Sequence, residues 1–307
     1  MCGIVAGVSY RNIVPILTEG LRRMEYRGYD SCGVAVVDDG QLKRSRTVKR
    51  VQDLIRQTEE DEVKGSTGIA HTRWATHGAP EIRNTHPLFS NNQIAVVHNG
   101  IIENYGILKE RLIAKGYTFE SETDTEVLVK LIDSCYTGDP LRALQEALAK
   151  VRGSYALAVL FRDRPDTIFA VKRESPLIVG WGEGENFVAS DIPALLKYTR
   201  TVYYIDNLEI ARLTPDSIEF FNIDKEPITR ESTTIEWDAE AAEKGGYEHF
   251  MMKEIYEQPA AVRDTISPRL KDGQIDLSEL DLDEEAIRNV HRLYIRLPCR
   301  HGRALCV

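Results

Sequence analysis

The chain opens Met1-Cys2-Gly3 and runs at once into Ile4–Ser9, a continuous apolar stretch of strand length. A thiol therefore stands at the very start of a strand. A small second residue normally lets the initiator methionine be removed, which leaves Cys2 with a thiol and a free α-amino group on one residue. The thiol is a strong nucleophile only as thiolate and needs a base within reach. An N-terminal amine titrates near pH ~8, far below a lysine, so it can be that base at neutral pH. Nucleophile and base on one residue make an N-terminal-nucleophile arrangement. Gly3 adds backbone freedom and no side-chain obstruction. On Cys2 alone, the competing reading is an ordinary cysteine at a frayed terminus.

The 307 residues suit one large domain, or one domain and part of another. Apolar residues make up 42% and charged residues 28%, which leaves ample material for a core. A formal net charge of −9 with no long basic run argues against nucleic acid and anionic membrane as partners. No apolar run approaches ~18 residues, and a signal peptide is not expected from the opening residues. Cys2, Cys32, Cys135, Cys299 and Cys306 are odd in number and scattered, with no C-x-x-C pair. Neither a disulfide framework nor a thiolate zinc site is expected, and the expected compartment is a reducing cytoplasm.

Strand-like runs are Gly33–Asp38, Thr67–His71 and Ile94–His98, followed by a rapid series over Tyr155–Phe161, Thr167–Val171, Leu177–Val179, Phe187–Ser190, Val202–Ile205, Glu209–Leu213 and Ile218–Phe221. Helical spacing appears over Ile13–Arg22, Tyr105–Lys115, Asp124–Cys135 and Leu141–Val151. Strands outnumber helices, and the later ones follow one another with no helix between. The pattern predicts an α+β fold, with two stacked sheets and helices outside. After about Asp238 the character changes to a polar, flexible stretch, a helix over Lys253–Ile266 stopped by Ser267-Pro268, and acidic linker-like sequence.

Four loop-like clusters stand out: Tyr26–Ser31, His71–Gly78, His98–Gly100 and Ser121–Glu126. Each has a plain structural reading. Asn99-Gly100 fits a type I′ hairpin turn. Ser121 to Asp124, or Thr123 to Glu126, fits a capping box. Arg27 and Arg73 fit surface arginines or ion pairs at the core edge. His71, His77, His86 and His98 are a formal metal set, but they lack the H-x-x-x-H spacing of a helix, and no metal or cofactor is expected. Cys32 and Cys135 fit inert core thiols. Taken together, the clusters fit a site for a zwitterionic amino acid beside a cysteine. A guanidinium fork suits an α-carboxylate and a carboxylate suits an α-ammonium. A side-chain amide next to a glycine N–H suits an oxyanion hole.

The motifs CGIVAG (2–7), EYRGYDS (25–31), HTRWATHG (71–78), VVHNGIIEN (96–104), SETDTEV (121–127) and KEIYEQP (253–259) occur in order. In them the chain resembles the class II glutamine amidotransferases, in particular the glutaminase domain of glutamine–fructose-6-phosphate aminotransferases, from Cys2 to about Ile295. Phosphoribosyl-pyrophosphate amidotransferases and asparagine synthetases share the cysteine start and the Asn-Gly but differ around RGYDS and HTRWATHG. The resemblance implies a four-layer αββα N-terminal-nucleophile fold and hydrolysis of L-glutamine through a thioester. It implies Cys2 as nucleophile, Asn99 and Gly100 as oxyanion hole, Arg73 on the glutamine carboxylate and Asp124 on its amino group. Thr76 and His77 would shape the pocket, Trp74 would lie on a closing loop, and Arg27 would lie near the nucleophile. A homodimer is a further expectation.

The expected division is a glutaminase domain over 1–240, a linker and the start of a sugar-isomerase domain over 241–295, and an aberrant tail over 296–307. The family's isomerase strand and Gly-Thr loop are replaced by Arg296–Arg303, and Cys299–Gly302 back-translated in the next frame reads Ala-Gly-Thr. A frameshift, a truncated gene or a deliberately cut domain would each give this. The synthase half, with its fructose 6-phosphate site, is then expected only in a full-length enzyme, and this chain is expected to release ammonia without forming an amino sugar. The rival readings are another class II amidotransferase of the phosphoribosyl-pyrophosphate type, a silent amino-acid-binding module, and a redox or metal-binding protein.

Overall fold

The structure, a computed structural model, describes residues 2–236, 247, 250–271, 273–276, 288–291, 294–295 and 305–306. The chain falls into two compact units, Met1–Ala242 and Glu243–Val307. The first unit runs β1 (Gly3–Ser9), α1 (Val14–Arg23), β2 (Ser31–Asp38), β3 (Gln41–Thr47), α2 (Val51–Glu60), β4 (Thr67–Arg73), β5 (Leu88–Ser90), β6 (Ile94–Ile102), α3 (Tyr105–Ala114), α4 (Asp124–Cys135), α5 (Pro140–Leu148), β7 (Gly153–Phe161), β8 (Ile168–Arg173), β9 (Ile178–Gly182), β10 (Glu185–Ala189), β11 (Thr201–Tyr204), β12 (Ile210–Leu213), β13 (Ile218–Phe221), β14 (Pro227–Ile228) and β15 (Thr233–Thr234).

Among the described residues these strands form two antiparallel sheets. One holds eight strands in the order β15-β11-β9-β10-β1-β4-β2-β3, the other seven in the order β14-β13-β12-β8-β7-β6-β5. Side chains alternate along each strand, and the alternation sorts the core into three slabs. Ile4, Ala6, Val8, Ala35 and Ile69 of the first sheet meet Ala95, Val97, Ala156, Ala158 and Ala170 of the second. Val5, Val34, Val36 and Ala70, on the opposite face of the first sheet, are covered by Ile16, Leu17 and Leu21 of α1 and by Val51 and Leu54 of α2. Val96, Leu157 and Val159, on the outer face of the second sheet, are covered by α3, α4 and α5. The result is the expected four layers, helix–sheet–sheet–helix.

The local sequence explains the helix ends. Pro15 sits in the first turn of α1 and Arg22 and Arg23 in its last, where a missing N–H and positive charge are each tolerated or favoured. Thr123 caps α4 by accepting from the Glu126 N–H at 3.2 Å. The other half of the capping box is absent: the Glu126 carboxylate accepts instead from the Glu120 N–H at 3.0 Å and the Ser121 N–H. The helix expected over Leu141–Val151 begins earlier, at Pro140, because Asp139 caps it. Asn99-Gly100 is no hairpin turn. Both residues lie inside β6, paired with Ala156 and Tyr155 of β7.

In the second unit, a helix over Phe250–Ile266 is followed by a single turn at Ser267–Arg269. A short antiparallel pair joins Leu270–Lys271 to Gln274–Ile275, and another joins Tyr294–Ile295 to Leu305–Cys306. The stretches 277–287 and 296–304 lie outside the described residues, and with them most of the tail expected to be aberrant. No helix among the described residues is long and apolar enough to cross a membrane.

Candidate active site

Cys2 precedes β1, an inner strand of its sheet. The antiparallel register sets Gly3 against Thr72 of β4, so Cys2 stands beside the end of β4 and the loop that leaves it. The Trp74 N–H donates to Cys2 Sγ at 3.2 Å. Burial pushes the Cys2 thiol up, while the Trp74 N–H and the Arg73 charge oppose that rise by favouring the thiolate. Gly3 is required for space: a Cβ there would come within 2.8 Å of Thr72 Oγ1 and 2.9 Å of Met24 Cε.

Alternation in the strands decides what else reaches this point. Cys2, Ile4, Ala6 and Val8 share one parity along the first strand, as do Ile69, His71 and Arg73 along β4, and Ala95, Val97 and Asn99 along β6. Ile4, Ile69, Ala95 and Val97 all belong to the slab between the sheets. Cys2, His71, Arg73 and Asn99 therefore project into the same seam from opposite sheets. Asn99 is only 8% exposed. Its Oδ1 lies 2.9 Å from His71 Nε2, and its Nδ2 donates to the Cys2 carbonyl oxygen at 3.4 Å. Gly100 follows at φ +134°, and a Cβ there would sit 2.1 Å from the Ser154 carbonyl oxygen, so only glycine fits.

Arg73 is 4% exposed, and burial lowers its pKa, though a guanidinium stays charged at neutral pH. Its Nη2 donates to the carbonyls of His77 at 2.5 Å and Gly78 at 3.0 Å, and its Nη1 to that of Ala79 at 3.2 Å. Asp30 lies 3.7 Å from the same guanidinium and also accepts from the Ala75 N–H. Arg73 and Asp30 thus fix both ends of the 74–79 loop. Asn84 secures its far side, donating to the Ala79 carbonyl at 2.9 Å and accepting from the Glu122 N–H at 2.9 Å. Thr76 Oγ1 lies 3.2 Å from His77 Nδ1, and the His77 ring meets the edge of Tyr105. The Trp74 indole is 53% exposed and lies over Gly28.

Asp124 opens α4, where a helix N-terminus favours negative charge. It is 4% exposed, accepts from the Ile102 N–H at 2.9 Å, and lies 4.0 Å from His77 Nδ1. Arg27 sits on the other side of β1. It donates to Ser190 Oγ at 3.5 Å and Asp191 at 3.4 Å, and that same Ser190 Oγ accepts from the Ile4 N–H. Cys2, Asn99, Gly100, Arg73, Asp124, His77 and the Trp74 loop are thereby linked by direct contacts or by sequence adjacency. Arg27 is joined to the strand of Cys2 through Ser190.

Sequence reasoning missed Asn84 and Ser190, gave Asp30 no role beyond its place in the Tyr26–Ser31 cluster, and left His71 without a role once the metal reading was set aside. His71 bonds instead to Asn99, and His98 Nδ1 lies 2.9 Å from Thr125 Oγ1. The first pair bridges the sheets and the second ties β6 to α4.

A glutamine amidotransferase domain family matches residues 71–197. The chain is 51% identical over 297 residues to the glutamine–fructose-6-phosphate aminotransferase (isomerizing) of Caldanaerobacter subterraneus, covering 96% of this chain and 49% of that one. It is 48% identical over 294 residues to the protein of the same name from Thermus thermophilus, covering 95% and 48%. The chain spans about half the length of these curated relatives. Among solved structures, a glutamine phosphoribosylpyrophosphate amidotransferase from B. subtilis, complexed with ADP and GMP, superposes with a TM-score of 0.64 at 23% identity, over 74% of this chain and 50% of that one.

Proposed function

Since this chain belongs to the glutamine amidotransferase family, we propose that residues 1–240 hydrolyse glutamine to glutamate and ammonia through a thioester on Cys2. In this reading they are the amide-releasing half of an aminotransferase acting on fructose 6-phosphate. The observation that carries the reading is the convergence of Cys2 and Asn99 from two sheets, with the Asn99 amide 3.4 Å from the Cys2 carbonyl. With Met1 removed, the α-amino group of Cys2 takes the thiol proton. The thiolate attacks the side-chain amide carbon of glutamine. The oxygen of that amide becomes an oxyanion facing Asn99 Nδ2 and the Gly100 N–H. The protonated amine gives its proton to the departing nitrogen, and ammonia leaves. Water, activated by the same amine, then cleaves the thioester.

The buried Arg73 and Asp124 supply one positive and one negative charge for the two ends of the substrate, with Thr76 and His77 between them and Trp74 on the covering loop. The compact unit Met1–Ala242 supports the assignment of the glutaminase to 1–240, and the following residues then lead toward the synthase half. In a longer enzyme that half would take the ammonia to fructose 6-phosphate. Scattered cysteines and an acidic balance suit a cytoplasmic protein, and a homodimer remains part of the proposal.

Glutamate release by the purified chain tests the reading. Asn99→Ala should lower kcat by roughly 10²–10³-fold with little change in KM, because loss of one oxyanion donor acts on the transition state. A KM effect alone would remove Asn99 from the oxyanion hole. Asp124→Asn keeps an acceptor for the Ile102 N–H but removes the charge. It should raise KM for glutamine roughly ten- to a hundredfold, since a hydrogen bond to a charged group is worth ~1.5–3 kcal/mol. An unchanged KM would take Asp124 out of the ammonium site.

A further inference from the structure

Resting on that reading, we propose that His71 is the positioning residue that sets the Asn99 amide for catalysis: as the neutral Nε2–H tautomer it donates to Asn99 Oδ1 and so turns Asn99 Nδ2 toward Cys2. An asparagine amide has two orientations that differ only in which end is O and which is NH₂, and neighbouring groups decide between them. Here two neighbours flank the amide. One is the Cys2 carbonyl oxygen, 3.4 Å from one end, which can only accept. The other is His71 Nε2, 2.9 Å from the opposite end. If the amide were reversed, Asn99 Oδ1 would face the Cys2 carbonyl lone pairs, and its amide donor would be turned away from Cys2. In the orientation found, His71 must supply the proton at Nε2.

The surroundings of the ring allow that tautomer. His71 is fully buried and stacked on His86 at 4.2 Å between ring centroids; its Nδ1 makes no well-aligned hydrogen bond among the described residues, although the His98 backbone lies close to the ring. A ring lone pair without a donor is tolerable there, whereas a proton on Nδ1 would be a buried donor with no well-aligned acceptor. Burial also holds the ring neutral, with its pKa pushed down to about 3. His71 belongs to β4 and Asn99 to β6, so the bond also spans the two sheets. The Asn99 amide carries two hydrogens, one engaged by the Cys2 carbonyl and one left for an oxyanion.

The test is a double-mutant cycle on glutamine hydrolysis with His71→Leu, which lacks a donor, His71→Gln, whose side-chain amide can donate, Asn99→Ala, and His71→Leu combined with Asn99→Ala. His71→Leu should lower kcat roughly ten- to a hundredfold, no more than loss of the oxyanion donor itself, with KM within about twofold. His71→Gln should recover most of that loss. Alkylation of Cys2 by iodoacetamide should keep its rate in both variants. In the Asn99→Ala background, adding His71→Leu should cost less than about twofold more, because the group it positions is already gone. An equal loss in both backgrounds, or a change in KM alone, overturns the proposal while leaving the role of Asn99 intact. If Asn99→Ala itself keeps full kcat, the oxyanion reading fails first and this inference falls with it. Should His71→Leu not fold, ¹⁵N-histidine NMR of the unaltered chain decides: a proton on Nε2 and a bare Nδ1 support the proposal, and a proton on Nδ1 sinks it.

Discussion

A Cys2→Ala chain should lose glutamine hydrolysis by roughly 10⁴-fold or more, because removing the nucleophile leaves only binding and oxyanion contributions. The fold should survive. Cys2 precedes the first strand, and its Sγ is held by the Trp74 N–H on a loop fixed independently by Arg73 and Asp30. The matching control is Cys32→Ser, which should keep activity. The Cys32 thiol is buried under the helices of its own sheet, and burial pushes its pKa up to about 12, so almost none is thiolate at neutral pH. Glutamate release, intact mass and far-UV circular dichroism on the two variants make the check. Full activity in Cys2→Ala, or in a chain whose Cys2 amine is blocked, would end the N-terminal-nucleophile reading.

Stability should fall steeply on the acid side of pH 6.5. His71, His86 and His98 are buried, and desolvation lowers the pKa of each. In the unfolded chain a histidine takes a proton near pH ~6.5. Folded His71 refuses it until about pH 3. Between those values the unfolded state binds the extra proton, so stability rises with pH up to about 6.5 and is lost as pH falls below it. One such group contributes a slope of at most ~1.4 kcal/mol per pH unit, and His86 and His98, displaced in the same direction, add to it. Urea unfolding at pH 7, 6 and 5 should show the midpoint dropping at each step. A flat midpoint from pH 7 to 5 would mean that the three rings are protonated, or reach water, in the folded protein.

Much of the fold was legible because strands buried on both faces read as unbroken apolar runs. Val34–Val37 and Tyr155–Phe161 could hardly be anything else. The misses have the same root. β3 reads QLKRSRT: it is an edge strand that buries little besides Leu42, Ser45 and Thr47, so its pattern is mostly charge. α2 buries only Val51, Leu54 and Thr58, a stripe too narrow to stand out from a polar segment. Asn99-Gly100 carries a turn signature, yet it runs on as strand because β7 supplies a partner for each residue. At the site, the motifs pointed to the residues bearing charge or nucleophile. They could not show that Arg73 spends its donors on three loop carbonyls, or that His71 meets Asn99. Both depend on register and on which sheet lies opposite, and neither is a local property of sequence.

The slab between the sheets holds seven alanines among its 21 buried residues: Ala6 and Ala35 on one side, Ala95, Ala156, Ala158, Ala170 and Ala211 on the other. Ala156 is the register partner of Asn99 itself. Small side chains let two sheets approach closely, and close packing resists any change in that spacing. The slab is therefore a gauge block as well as a core. Its thickness sets the gap between a thiol carried by one sheet and an amide carried by the other. A methyl group added away from the reacting groups, at Ala158 or its neighbour Ala170, would widen that gap and slow the chemistry while leaving every reactive residue in the sequence unchanged.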